Sequence, residues 1–225
     1  MIKMLYLSNQ ELINALINSG VLKTKAIIDA FLNIDRKDFV KPEYAYEAYG
    51  DYPLPIDKGQ TISQPWTVAF MLELLQPQKD QKILDVGFGS GWTTALLAYI
   101  VVGKKFNKKE TKENFAGRVY GIEIIPEVFN FGKANIEKYN YLEHKIVELK
   151  LDDGSKGWQE KAPFDRILVS AAFQKEMPQA LIDQLNEQGI LVIPDDYGIW
   201  QVRKENGQLQ KSYYRGFQFV PLIEK

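Results

Sequence analysis

Apolar positions along this chain recur at two spacings, and their alternation predicts its architecture. Over residues 8–19, Leu12, Ala15 and Leu16 share one helical face, Ser8 stands where a cap is needed, Glu11 follows three residues on, and Gly20 stops the helix. Residues 24–34 repeat the pattern through Ala26, Ile27, Ala30, Phe31 and Ile34, and residues 67–75 through Val68, Met71, Leu72 and Leu75. Neither of the first two helices carries a polar cluster, so packing is their expected role. From residue 82 the pattern alternates. The run of Ile83, Leu84 and Val86, closed by Asp85, reads as a strand, as do 118–123, 145–151, 164–170 and 190–194, with helices over 93–102, 126–139 and 178–186 between them. This predicts an α/β fold with a mostly parallel sheet, helices on both faces, and ligands at the carboxyl ends of the strands. Helical spacing stops after 194, where 199–204 and 210–217 read as a hairpin about 205–207 that completes the sheet antiparallel.

Two stretches interrupt this order. Residues 36–65 hold four tyrosines, four prolines and two glycines, which excludes a long helix and leaves an ordered loop or a linker. Phe39, Val40, Leu54, Ile56 and Ile62 argue that it is pinned to the domain, and long ordered loops tend to be functional. Residues 103–117 are lysine-rich but include Glu110 and Glu113. They can extend a helix or form a solvated loop; the expectation is an exposed insertion, with contact to an acidic partner as the second reading.

The candidate chemistry lies at 82–94, KILDVGFGSGWTT, where Gly87, Gly89 and Gly91 alternate between a strand and a helix. Glycines there let the backbone turn sharply and approach a ligand closely. The spacing is that of neither the dinucleotide fingerprint nor the phosphate loop, and no lysine follows the last glycine. RVYGIE then ends in Glu123, at the tip of the next strand, where a carboxylate can accept from both hydroxyls of a ribose. An adenosine-type cofactor without a pyrophosphate is expected. The alternatives are an NAD enzyme or a purely structural turn.

Composition narrows the chemistry further. The 225 residues are 45% hydrophobic and 25% charged, as in an ordinary soluble globular protein with one sizeable core. A formal net charge of -1 gives no generalised basic surface for nucleic acid. With no cysteine, disulfides, thiolate nucleophiles and zinc-thiolate sites are excluded, and no metal site is expected. The single histidine, His144, falls in a predicted connection and reads as a surface loop residue rather than part of a serine relay. No run approaches 18 apolar residues and the start has no secretory pattern, so a cytoplasmic protein without membrane contact is expected. No exposed apolar stripe is evident, from which a monomer is expected.

The glycine turn with its ribose acid resembles the class I S-adenosylmethionine-dependent methyltransferases, whose Rossmann-like, seven-stranded sheet ends in an antiparallel hairpin. A narrower resemblance spans nearly the whole chain. RKDFV (36–40), AYGDYPLPI (48–56), GQTISQP (59–65), LDVGFGSG (84–91), VSAA (169–172), PQALIDQL (178–185), GILVIP (189–194) and FVPL (219–222) are similar to the protein-L-isoaspartate O-methyltransferase family. It implies a single methyltransferase domain over 1–225, with helices and a covering loop over 1–66 added to a core over 67–225. It also implies methyl transfer from S-adenosyl-L-methionine, leaving S-adenosyl-L-homocysteine, to the free α-carboxylate of isoaspartyl residues in damaged proteins and peptides, with repair through a succinimide. Such a carboxylate is ionised at neutral pH and needs no strong base, so placement and exclusion of water remain for the protein.

Carried onto this sequence, the resemblance makes Ser63 the active-site serine, whose hydroxyl would bind or orient the substrate carboxylate; its other reading is a helix cap before Thr67. Gln60, Thr61 and Ile62 would bind the cofactor, the last two along its methionine side. Asp85, Gly87 and Gly89 match the cofactor turn, Glu123 the ribose acid, and Asp153 with Gly154 the pair near the adenine; the alternative for Asp153 is a turn residue. Asp152 replaces the glycine usual in the family and adds a charge beside that site, while Trp66 and Trp92 stand at positions that vary. Two other readings remain: an offshoot methylating an aspartate of a dedicated peptide, and an inert cofactor-binding module. The nucleic-acid methyltransferases fit less well, since VSAA stands where a motif for a flipped base would follow the fourth strand.

Overall fold

The computed structural model describes residues 4–103 and 115–225 and is built on a seven-stranded sheet. In chain order come α1 (Asn9–Asn18), α2 (Lys25–Asn33), the short strands β1 (Leu54–Pro55) and β2 (Thr61–Ile62), α3 (Pro65–Leu75), β3 (Lys82–Val86), α4 (Trp92–Val102) and β4 (Arg118–Glu123). Then follow α5 (Pro126–Glu137), β5 (Val147–Leu151), β6 (Phe164–Val169), α6 (Gln179–Asp183), β7 (Leu185–Pro194), β8 (Gly198–Glu205) and β9 (Gln208–Arg215). The sheet order is β5-β4-β3-β6-β7-β8-β9, parallel from β5 to β7 and antiparallel for β8 and β9. The chain winds outward from β3 through β4 to β5, then returns to lay β6 on the other side of β3. That reversal opens a crevice at the carboxyl ends of β3 and β6, where open α/β sheets bind ligands.

The two faces of the sheet are covered unequally. Ile83, Val119, Leu168 and Val192 point into a core shared with residues of α1 to α5. On the other face Leu84, Val86, Ile122, Ile167 and Val169 pack with Leu181 and Ile182 of α6. Helix α4 is apolar on nearly every side because α2 supplies Ile27, Ala30 and Phe31 to the same core, and Phe31 meets Trp92 edge-on at 5.4 Å. The added N-terminal helices thus act in packing, as their lack of polar clusters implied. At α1 the Ser8 hydroxyl accepts from the Glu11 amide at 3.2 Å, and the Glu11 carboxylate reaches back to the Leu7 amide at 2.9 Å. Glu73 of α3 holds the start of α2 by accepting from the Lys23 and Thr24 amides, each at 2.7 Å.

The proline-rich stretch is an ordered structure. It forms short 3-10 helices at Arg36–Phe39 and Pro42–Glu47 and the antiparallel β1–β2 pair, pinned by the buried Phe39, Val40, Leu54, Ile56 and Ile62. Of the lysine-rich insertion, residues 104–114 lie outside the described residues. Element ends shift where tertiary contacts override spacing. The helix expected over 178–186 ends at Asp183, because Leu185 already pairs with Phe164 in a longer β7. The buried Gln184 makes the corner, accepting from the Trp158 amide at 2.7 Å and donating to the Lys156 carbonyl at 2.8 Å. The last strand ends at Arg215, and Phe217 instead stacks on Phe70 with ring centres 5.0 Å apart.

Candidate active site

The turn between β3 and α4 depends on its glycines. Gly87, Gly89 and Gly91 take φ values of 73°, 54° and 86°, in the left-handed region that side chains disfavour. Helix α5 approaches this turn so closely that a Cβ at Gly132 would lie 2.3 Å from the Gly89 carbonyl oxygen. Gly132 lies outside the glycine motif, and sequence spacing gave no signal for it. Asp85 lies beneath the turn, fully buried, and accepts from the Thr94 hydroxyl at 2.6 Å. Burial pushes its carboxyl up to about 6, against the lowering hydrogen bonds of Thr94 and Thr93. Its Oδ1 has no partner among the described residues. Asp85 therefore braces the first turn of α4, while Val86, Gly87, Phe88 and Gly89 line the cleft above.

Glu123 ends β4 at the cleft wall. Its Oε2 accepts from the Gly89 amide at 3.2 Å and its Oε1 from the amides of Ile124 and Ile125 at 2.9 and 3.0 Å. Burial raises its carboxyl above the ordinary range, and the three amides oppose that shift.

The opposite wall is Gln60, Thr61, Ile62 and Ser63, carried by β2 and the residue on either side of it. One buried side chain fixes this wall. Arg36 donates from Nη1 to the carbonyls of Ala48 and Gly50 at 2.6 and 3.1 Å, and from Nη2 to those of Tyr52 and Ser63 at 3.0 and 3.2 Å. Its guanidinium also sits 5.5 Å from the centre of the Trp92 ring, and burial lowers its pKa to about 9. Ser63 is not the helix cap: α3 starts at Pro65 after Gln64, and Asp51 accepts from the Trp66 amide at 2.8 Å. Among the described residues no hydrogen bond uses the Ser63 hydroxyl. The residue lines both the cleft and a second cavity beyond it.

At the adenine end of the expected site, Gly154 lines the cleft, and a Cβ there would lie 2.4 Å from Val86 Cγ1. Asp153 is buried behind it and engaged by four donors: the Ser155 amide and hydroxyl at 3.0 and 2.7 Å, the Lys225 amide at 2.8 Å, and the Lys156 ammonium at 3.3 Å. Burial raises its carboxyl, but these donors outweigh that and hold it below the ordinary range. The charge that Asp152 adds is compensated by the Lys150 ammonium at 2.8 Å. Chain-end residues Val220 to Ile223 close the remaining side, tied to Ala172 by amide-to-carbonyl bonds of 2.8 and 2.7 Å. Together with Ser170 and Ala171 they form a wall that no spacing rule foretold, although VSAA and FVPL are the segments that build it.

The cleft encloses about 740 Å³ including its mouth, within the range of small-molecule sites. Its chemistry fits a nucleoside carrying a charged chain: a carboxylate at one end, side-chain-free turns where ligand must pass close, and a free hydroxyl at the exit. His144 is not part of its lining.

Comparison with known proteins agrees with this geometry. Residues 7–225 match the family described as protein-L-isoaspartate(D-aspartate) O-methyltransferase. A protein-L-isoaspartate O-methyltransferase of Pyrococcus abyssi is 40% identical over 210 residues, covering 91% of this chain and 89% of the relative. Another, from Pyrobaculum islandicum, is 40% identical over 215 residues, with 94% and 97% covered. Among solved structures, a Plasmodium falciparum chain described as a β-aspartate methyltransferase in complex with S-adenosyl-L-homocysteine superposes with a TM-score of 0.82 at 27% identity, covering 97% of this chain and 99% of that one.

Proposed function

The chain belongs to the protein-L-isoaspartate(D-aspartate) O-methyltransferase family, and on that premise we propose how its residues divide the reaction. The enzyme methylates the free α-carboxylate of L-isoaspartyl residues in damaged proteins and peptides, using S-adenosyl-L-methionine, and so starts repair through a succinimide. The cofactor supplies a methyl group on a sulfonium: the new O–C bond forms from a carboxylate lone pair as the C–S bond breaks, its electron pair staying on sulfur.

Glu123 is the acceptor for the ribose hydroxyls, and Gly87 and Gly89 admit the ligand against bare backbone. Gly154, whose missing Cβ would meet Val86, lets its loop pack onto the end of β3 beside the place of the adenine, while the Asp153 carboxylate, occupied by four protein donors, anchors that loop to the chain end. Gln60, Thr61 and Ile62 cover the cofactor, with the last two along its methionine side. Ser63 donates its hydroxyl to the substrate carboxylate and holds one oxygen in line with the methyl group. Asp85 acts from below by setting the start of α4, without touching the ligand. The carboxylate arrives ionised, so no general base is assigned.

The observation that carries this reading is the position of Ser63, whose unused hydroxyl stands where the cofactor cleft meets the next cavity. Beyond it the amides of Phe217, Gln218 and Phe219 donate to no protein acceptor among the described residues, which suits a substrate recognised by backbone. We read the chain as one domain, a cytoplasmic monomer acting on polypeptides. The core shared by α1 to α5, the net charge of -1 and the use of an intracellular methyl donor support that reading. No helix among the described residues is long and apolar enough to cross a membrane. The test is transfer of labelled methyl to paired peptides differing only in isoaspartate versus aspartate. Labelling of the isoaspartyl peptide alone is expected; labelling of neither, with cofactor bound, overturns the reading.

A further inference from the structure

We propose that the groove leading away from Ser63 is a subsite for residues flanking the isoaspartyl linkage, and that Arg215 there selects substrates with an acidic side chain close to the damage. This rests on Ser63 marking the place of methyl transfer. Three hollows lie in a row, each sharing wall residues with the next, and mark out a path. Thr61, Ser63, Ser170 and Val220 are common to the cofactor cleft and the middle cavity. Pro53, Gln64, Thr67 and Gln218 are common to that cavity and an outer groove that encloses about 1250 Å³ including the solvent at its mouth. A polypeptide whose isoaspartyl carboxylate meets Ser63 has this path for its neighbouring residues.

The groove offers a distinct chemistry along its length. Its inner part is aromatic: Trp66 and Phe217 stack with ring centres 6.0 Å apart, and both rest on Phe70 at 5.4 and 5.0 Å. The backbone of residues 217–219 runs beside it with free amides. At the outer lip stand Tyr197, 76% exposed, and Arg215, whose guanidinium makes no ion pair or hydrogen bond among the described residues. Asp196 carries the opposite charge at the same lip, and its Oδ1 already accepts from the Gln174 amide group at 2.7 Å. Every donor of Arg215 is open, and a planar fork of donors matches a carboxylate in two-point contact. Flank recognition of this kind lowers KM without changing the reacting groups.

The test uses neutral peptides with one L-isoaspartyl residue and a single glutamate moved stepwise along each flank, at saturating S-adenosylmethionine. For the wild-type chain one glutamate register is expected to lower KM roughly two- to fivefold with kcat unchanged, as for an exposed ion pair. High salt abolishes that advantage. Arg215→Gln removes it, Arg215→Glu turns it into a penalty, and Asp196→Asn keeps or enlarges it. A wild-type KM indifferent to the position of the glutamate, or a preference that survives Arg215→Gln, overturns the proposal. If no isoaspartyl peptide is methylated at all, the assignment of Ser63 falls with it.

Discussion

The Glu123 carboxylate accepts a hydrogen bond from the Gly89 amide at 3.2 Å, so the residue that ends β4 also fastens the turn that follows β3. Its other oxygen takes the Ile124 and Ile125 amides. One side chain therefore fixes two walls of the cleft, and with Oε1 taken by two amides and Oε2 by one, its open acceptor site toward a ligand is on Oε2. That economy explains why an acid tolerates burial here: three backbone donors replace much of its lost hydration.

Glu123→Gln turns an N–H toward amides that need an acceptor. S-adenosylhomocysteine affinity is expected to fall on the order of 10- to 100-fold in titration calorimetry, the scale of a charged hydrogen bond. For the wild-type chain, affinity declines on acidification, beginning above the ordinary carboxylate range because burial raises this group. A Gln variant that binds within about twofold of wild type would refute the role.

Asp85 gives a stability signature with a definite sign. Its folded pKa is about 6 against an ordinary 3.8, so the native state holds the proton more tightly than the unfolded chain. Stability is thus lost as pH rises through that window and stays at its lower level above it. Asp85→Asn can still accept from the Thr94 hydroxyl and lacks this slope. The melting temperature of the variant, relative to wild type, is expected to rise by on the order of 5 °C between pH about 4 and pH about 7. Parallel pH profiles for the two proteins would contradict the buried-charge account.

Arg36 ties Ser63 to the loop over residues 48–52. A lysine there keeps the charge but cannot span four carbonyls, so Arg36→Lys is expected to lower stability by about 2 kcal/mol, or roughly 4–8 °C. If the guanidinium also positions Ser63, kcat falls in the Arg36→Lys chain but hardly further when Ser63→Ala is already present. A double-mutant cycle measures this, and additive losses would mean that Arg36 serves packing alone.

The sheet, its closing hairpin and the glycine turn were legible because alternating spacing and turn residues are local signals. The place of Glu123 beside that turn was legible too, since the strand after a glycine turn ends next to it. Legibility failed where distant segments meet. Gly132 has no local reason to be glycine until α5 packs on the Gly89 carbonyl. The ligands of Arg36 are carbonyls up to 27 residues away, which no spacing rule connects to an RKDFV motif. Asp153 reads from sequence as an adenine-side acid or a turn residue, and neither reading points to the Lys225 amide, 72 residues distant, that donates to it. Leu185 had helical spacing, and pairing with Phe164 decided against it.

The most direct test of the site is the Ser63→Ala enzyme, assayed on an isoaspartyl peptide and titrated with S-adenosylhomocysteine in parallel. If the hydroxyl aligns the substrate carboxylate, kcat/KM falls by roughly tenfold or more while S-adenosylhomocysteine affinity stays within about twofold. A Ser63→Ala enzyme with kcat/KM near that of wild type, or one whose loss follows cofactor affinity alone, would contradict the assignment of Ser63 to the reacting carboxylate.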